Sequence, residues 1–184
     1  MKLVILDRDG VINLEIKHNR IVTPEQWEPI PGSIEAIIKL KTAGYSVVVA
    51  TNQSIISKKI ATTEDLAAIH YKMQQILRQS NVEIDKIFFC PHQNIENCAC
   101  RKPKPGMLLD IAQQYNLDFA KHKIPFVGDA TIDVLAAVAA KALPVLVKTG
   151  KGMETLLSPV VKQIPDLLVF DDLKSFVDYW INVE

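Results

Sequence analysis

The chain has 184 residues, 48% hydrophobic and 23% charged, with 7 Gly and 10 Pro, which excludes extended disorder and collagen-like or low-complexity classes and fits a single domain over 1–184. Lys plus Arg equals Asp plus Glu at 21 each, so no global field draws the chain to nucleic acid or to an anionic membrane, and any anion site must be local. No apolar run reaches the roughly 18 residues of a membrane span, and acidic residues follow the start too early for a secretory signal, so a cytoplasmic protein is expected.

Short β-rich runs alternate with stretches of helical period, which predicts an α/β fold whose mainly parallel sheet is covered by helices on both faces. Lys2 to Leu6 reads as the first strand. Ser33 to Ala43 reads as a helix, with Ile34, Ala36, Ile37, Ile38 and Leu40 before the Gly44 stop. Tyr45 to Ala50 is the second strand, and Thr62 caps an amphipathic helix to about Gln79 with Leu66, Ile69, Met73, Ile76 and Leu77 on one face. Ile84 to Phe89, Pro125 to Val127, Leu143 to Val147 and Leu167 to Phe170 read as further strands. Pro105 to Tyr115, Thr131 to Ala140 and Asp172 to Ile181 read as helices, the first with Pro in its opening turn. Two irregular stretches remain, Ile12 to Pro31 and Cys90 to Lys104, and long loops in compact domains tend to carry function.

Asp7-Arg8-Asp9-Gly10 follows the first strand directly, at the carboxyl edge where open α/β sheets bind ligands. Alone it reads equally as a solvated turn. Strand two ends in Thr51-Asn52-Gln53-Ser54, strand four in Gly128-Asp129, and Lys102 lies in the loop between them. Together these supply a carboxylate nucleophile, a second carboxyl as acid and base, a hydroxyl and an ammonium for phosphate oxygens, and a carboxylate for Mg²⁺. Attack by one anion on another needs that charge neutralised, and Mg²⁺, a hard cation that prefers oxygen, suits the donors. All three cysteines fall in the second loop, where Cys90, His92, Cys98 and Cys100 form a set of four ligands. They suffice for a closed tetrahedral Zn²⁺ site, hence a structural one, against the alternative of free thiols beside a surface histidine.

On these residues the chain resembles the haloacid dehalogenase superfamily of phosphatases. Asp7-Arg8-Asp9-Gly10-Val11-Ile12 looks like motif one, Thr51 motif two, Lys102 motif three, and Gly128-Asp129 with Asp133 motif four. The resemblance implies a three-layer Rossmann-like domain in which Asp7 forms an aspartyl-phosphate and Asp9 protonates the leaving oxygen, then activates water. It also implies Asp7, the backbone carbonyl of Asp9 and Asp129 as Mg²⁺ ligands, supported by Asp133. The zinc-binding loop running into Arg101-Lys102-Pro103-Lys104-Pro105-Gly106-Met107 is similar to that of the bacterial D-glycero-D-manno-heptose 1,7-bisphosphate phosphatases and the related histidinol-phosphate phosphatases. Likeness to them implies the absence of a large cap domain, Arg101 and Asn52 as substrate contacts, and removal of the C7 phosphate in heptose supply for lipopolysaccharide. Histidinol phosphate or another small sugar or polyol phosphate is the alternative substrate.

The chain departs from that pattern at Ile55, Lys58 and Ala130. Ala130 stands where the heptose enzymes often place Lys, which removes one cation from the distal phosphate. Two readings of another class are a non-catalytic phospho-acceptor of the receiver type and a binding protein that kept the fold. The first needs a phosphorylated Asp after strand three, where this chain has Cys90, and the intact Asp7, Asp9, Lys102 and Asp129 oppose the second. One domain with its site at the sheet edge needs no second copy, so a monomer is expected.

Overall fold

The computed structural model describes residues 2–15 and 20–183; positions 16–19 of the first long irregular stretch lie outside the described residues. Six strands form one parallel sheet: β1 (Leu3–Leu6), β2 (Ser46–Asn52), β3 (Lys86–Cys90), β4 (Pro125–Gly128), β5 (Leu143–Val147) and β6 (Leu168–Phe170). Their spatial order is β3-β2-β1-β4-β5-β6. The β1 run Leu-Val-Ile-Leu is buried throughout, as expected of a central parallel strand covered on both faces.

Successive side chains point to opposite faces. Val4, Leu6, Val47 and Val49 therefore join one core with α1 (Ser33–Thr42), α2 (Thr63–Arg78) and the terminal α6 (Leu173–Val183). Leu3, Ile5, Val48 and Ala50 join the other with α3 (Gly106–Gln114) and α4 (Thr131–Ala140). The layers are thus helix, sheet, helix. Chain order reverses between β1 and β4, and such a reversal opens a crevice at the carboxyl ends of the two strands. Asp7 and Asp129 are the residues that follow those ends.

Several boundaries shift. β2 continues through Thr51 and Asn52, because both pair with β3 (Thr51 with Phe89, Asn52 with Cys90). β3 itself begins at Lys86 and runs to Cys90, and Pro105 sits at the N-cap, one residue before α3. β6 begins at Leu168, and α6 runs on to Val183. A short helix, α5 (Gly152–Thr155), and 3-10 turns at Pro24–Gln26, Asn94–Glu96 and Val161–Gln163 have no counterpart in the predicted elements. Segments of three or four residues are too short to show a period.

Candidate active site

Three carboxylates, Asp7, Asp129 and Asp133, offer oxygens that all lie within 4.8 Å of one another. All three residues are buried. Asp133 is in the first turn of α4, where its Oδ2 accepts from the Ala130 amide at 3.0 Å. It is therefore no solvated surface carboxylate. Lys102 reaches this cluster from the loop before α3: its Nζ lies 2.6 Å from Asp133 Oδ1, 3.0 Å from Asp7 Oδ1, and donates to the Ala50 carbonyl at 2.9 Å. Burial works against the ammonium, but Asp133 and Asp7 outweigh it and raise its pKa. Asp7 also accepts from the Arg8 amide at 2.7 Å.

One buried ammonium does not balance three carboxylates. Burial, with Asp133 and Asp9 adding to it against Lys102, pushes Asp7 up to about 7. Burial, Asp133 and Asp7 push Asp129 up to about 8. A cluster of hard oxygens in this condition fits a divalent cation such as Mg²⁺, which supplies the missing positive charge. Backbone packing holds the cluster in place. A Cβ added to Gly10, whose φ is +81°, would stand 2.2 Å from Asp129 Oδ2, and one on Gly150 would stand 2.1 Å from it. Only glycine leaves that carboxylate its seat. The Lys151 amide donates to Asp129 Oδ2 at 2.7 Å, Thr155 Oγ1 donates to the Asp129 carbonyl at 2.8 Å, and Thr149 Oγ1 donates to the Gly10 carbonyl at 2.6 Å.

Asp9 sits on the solvent side of Asp7, its side chain 30% exposed. Four donor atoms on three residues hold its carboxylate: Arg8 Nη2 at 2.9 Å to each oxygen with Nε at 3.2 Å, Asn13 Nδ2 at 2.9 Å, and Gln53 Nε2 at 2.9 Å. Burial raises its pKa, yet Arg8, Asn13 and Gln53 together win and lower it. Gln53 Nε2 also donates to the buried Thr51 hydroxyl at 3.0 Å, linking motifs one and two. Asn52 turns its amide to the Lys102 backbone, accepting from N at 3.2 Å and donating to O at 3.1 Å, so the end of β2 fixes the start of the lysine's loop. Arg8 and Gln53 stand in the motif segments, and their signal is adjacency to Asp7, Asp9 and Thr51. The partner of each, like those of Asn13 and Thr149, is set by the fold.

The second loop gathers Cys90, His92, Cys98 and Cys100. Cys90 Sγ lies 3.6 Å from both His92 Nδ1 and Cys98 Sγ, and Cys100 Sγ lies 3.2, 3.4 and 3.5 Å from Cys90, His92 and Cys98. Zinc–sulfur bonds of about 2.3 Å set a tetrahedral edge of about 3.8 Å, so this spacing fits the ion with modest expansion. Burial and the neighbouring thiols push Cys100 up to about 12, a state that a bound cation reverses. Arg101 belongs to the same loop: its Nε donates to Asn94 Oδ1 at 2.6 Å and its Nη1 to the His92 carbonyl at 2.9 Å.

A family model described as polynucleotide kinase 3 phosphatase matches residues 2–143. The chain is 48% identical over 176 residues to a D-glycero-beta-D-manno-heptose-1,7-bisphosphate 7-phosphatase of Pseudomonas putida, covering 95% of this chain and 97% of that one. It is 44% identical over 180 residues to a protein of the same name from Neisseria meningitidis, covering 97% and 94%. A solved D,D-heptose 1,7-bisphosphate phosphatase from B. bronchiseptica, complexed with magnesium and phosphate, superposes with a TM-score of 0.94 at 40% identity and full coverage of both chains. The corresponding Burkholderia thailandensis structure gives 0.74 at 37% identity, covering 98% and 99%.

Proposed function

The chain belongs to the family of D-glycero-beta-D-manno-heptose-1,7-bisphosphate 7-phosphatases, within the haloacid dehalogenase superfamily, and from that premise we propose that it removes the C7 phosphate of the heptose bisphosphate on the way to activated heptose for lipopolysaccharide. The observation that carries this reading is the buried cluster of Asp7, Asp129, Asp133 and Lys102 at the reversal of strand order.

Asp7 is the nucleophile. Its carboxylate oxygen forms a bond to phosphorus while the bond to the sugar oxygen breaks, and Asp9 gives that oxygen a proton. Asp9, now ionised, takes a proton from the water that splits the aspartyl-phosphate and so returns to its starting form. Arg8, Asn13 and Gln53 favour the ionised state required for the second step, and a phosphate dianion placed beside Asp9 raises its proton affinity for the first. Thr51 and Lys102 hold phosphate oxygens, and Lys102 also keeps Asp7 and Asp133 from repelling each other. Asp7, Asp129 and the Asp9 carbonyl would hold Mg²⁺, supported by Asp133, and the ion would supply the positive charge that neutralises the phosphate and keeps Asp7 ionised at neutral pH.

Asn52 and Arg101 contact the substrate in this reading, and the four-ligand loop, holding Zn²⁺, would keep Arg101 in place. The protein acts as a single-domain monomer in the cytoplasm, where thiols stay reduced for zinc. Among the described residues no helix is long and apolar enough to cross a membrane. The test is phosphate release with Mg²⁺ from the heptose bisphosphate, histidinol phosphate and a panel of sugar monophosphates, with phosphorus NMR to identify the phosphate that leaves. Preference for the bisphosphate, with only the C7 signal lost, is the expected result. Preference for histidinol phosphate would overturn the substrate.

A further inference from the structure

Arg8 is almost wholly buried, yet its charged head is spent on a neighbour in sequence, Asp9, through Nε and Nη2. The other end of the fork, Nη1, meets His70 Nε2 at 3.2 Å. His70 is on α2, more than sixty residues away, and lies against the Phe89 ring with centroids 6.3 Å apart. Guanidinium nitrogens only donate, so Nε2 must be the acceptor and the ring proton must sit on Nδ1. Burial first, and the Arg8 charge second, bring His70 down to about 3, so the ring is neutral and can accept. Nothing in the proposed chemistry uses His70.

We propose that His70 is a positioning residue: by accepting from Arg8 Nη1 it fixes the guanidinium that in turn orients the Asp9 carboxylate. This rests on the reading of Asp9 as the acid and base, and it adds to that reading the element that aims it. A guanidinium gripping one carboxylate by Nε and Nη2 can still pivot about that axis unless its remaining nitrogen is held. His70 holds it from the helix that covers β2 and β3, so the orientation of a loop residue is set by the rigid core.

The test uses His70→Leu, which removes the acceptor, and His70→Gln, whose amide oxygen can restore it. kcat/KM is measured with Mg²⁺ on the heptose bisphosphate and on p-nitrophenyl phosphate. kcat/KM reports the steps through departure of the leaving group, and nitrophenolate leaves without a proton whereas a sugar alkoxide does not. His70→Leu is expected to lower kcat/KM about tenfold on the sugar substrate and less than about threefold on the aryl one, the scale of a mispositioned catalytic group. His70→Gln should recover most of the loss. In an Arg8→Met background, His70→Leu should add less than about twofold, since coupled residues are not additive.

Equal losses on both substrates, or the same loss with Arg8 already replaced, would reduce His70 to packing and overturn the proposal. Asp9→Asn separates the two readings. If Asp9→Asn shows the leaving-group dependence and His70→Leu does not, only the brace falls; if Asp9→Asn shows none, the reading of Asp9 falls and takes the brace with it. Nitrogen NMR of wild-type His70 needs no variant: a neutral ring with the proton on Nδ1 between pH 5 and 8 is expected, and a proton on Nε2 overturns the contact.

Discussion

Asp7, Asp129 and Asp133 converge to within 4.8 Å from two different strand ends and a helix turn, whereas Cys90, His92, Cys98 and Cys100 reach the same spacing inside one eleven-residue stretch. The carboxylates are positioned by the folded sheet, through glycine seats and backbone amides. Cys90 closes β3, and the other three ligands belong to a loop whose only regular element is one 3-10 turn, at Asn94–Glu96. A loop that short cannot bury enough apolar surface to hold itself, so a closed metal site does what a core does elsewhere. The carboxylate site therefore spends the stability of the fold, while the thiol site supplies stability to its own segment.

The sharpest break of this contrast removes chemistry and leaves architecture. Asp7→Asn keeps the side-chain volume but replaces the nucleophile with an amide, and it also relieves the repulsion from Asp129 and Asp133. Turnover is expected to fall by about 10⁴-fold or more with Tm unchanged or raised, as sites that store electrostatic strain gain stability when relieved. Phosphate release and a melting curve on one preparation check both halves. Residual activity within tenfold of wild type would remove Asp7 from the mechanism.

How much of each region could be read in the sequence follows the same division. Three cysteines and a histidine within one loop announce a metal site without any fold, because their separation along the chain bounds their separation in space. Asp7, Thr51, Lys102 and Asp129 required a sheet to be predicted first, and the alternation of strands and helices supplied it. Side-chain direction was not legible. The structure turns the Asn52 amide to the Lys102 backbone and ties the Arg101 guanidinium to His92 and Asn94, contacts that their place in the motif segments does not announce. Likewise Arg8 meets His70 across sixty-two positions. Pairings of that kind depend on rotamers and helix placement, which a pattern of residue types does not encode.

A smaller effect is expected from the loop. Cys98→Ser removes one of four ligands, so the loop should lose zinc and loosen around residues 90–104 while the sheet stays intact. Because Lys102 hangs from the end of this loop, with its backbone held by two hydrogen bonds to Asn52 alone in β2, activity should fall by about 10- to 100-fold, the usual cost of disturbing support behind a metal or catalytic site. Metal analysis should show loss of about one zinc per chain, with faster proteolysis confined to the loop. Full zinc content and unchanged cleavage in Cys98→Ser would dissolve the contrast between the two sites.

The gentlest test varies pH and Mg²⁺ without touching the sequence. Burial and crowding hold Asp7 at about 7 and Asp129 at about 8 in the fold, against the ordinary aspartate value of 3.8. Between those limits the folded state holds more protons than the unfolded chain, so stability is greatest at the acid end and is lost as pH rises from about 4 through 8. In protein prepared without Mg²⁺, Tm should therefore fall between pH 5 and pH 8, each kcal/mol lost lowering it by about 2 to 4 °C for a chain of this size. Mg²⁺ binds the ionised carboxylates, so its stabilising effect should grow over the same interval and flatten the fall. Asp129→Asn removes the group with the higher pKa, and it should flatten the curve in the absence of Mg²⁺ as well. The zinc loop offers no such dependence on Mg²⁺, since thiolate and imidazole are poor ligands for that ion. A wild-type Tm that tracks the Asp129→Asn variant at every pH would mean that the carboxylates are not crowded in the folded protein, and with that the electrostatic reason for a cation at the sheet edge would be gone.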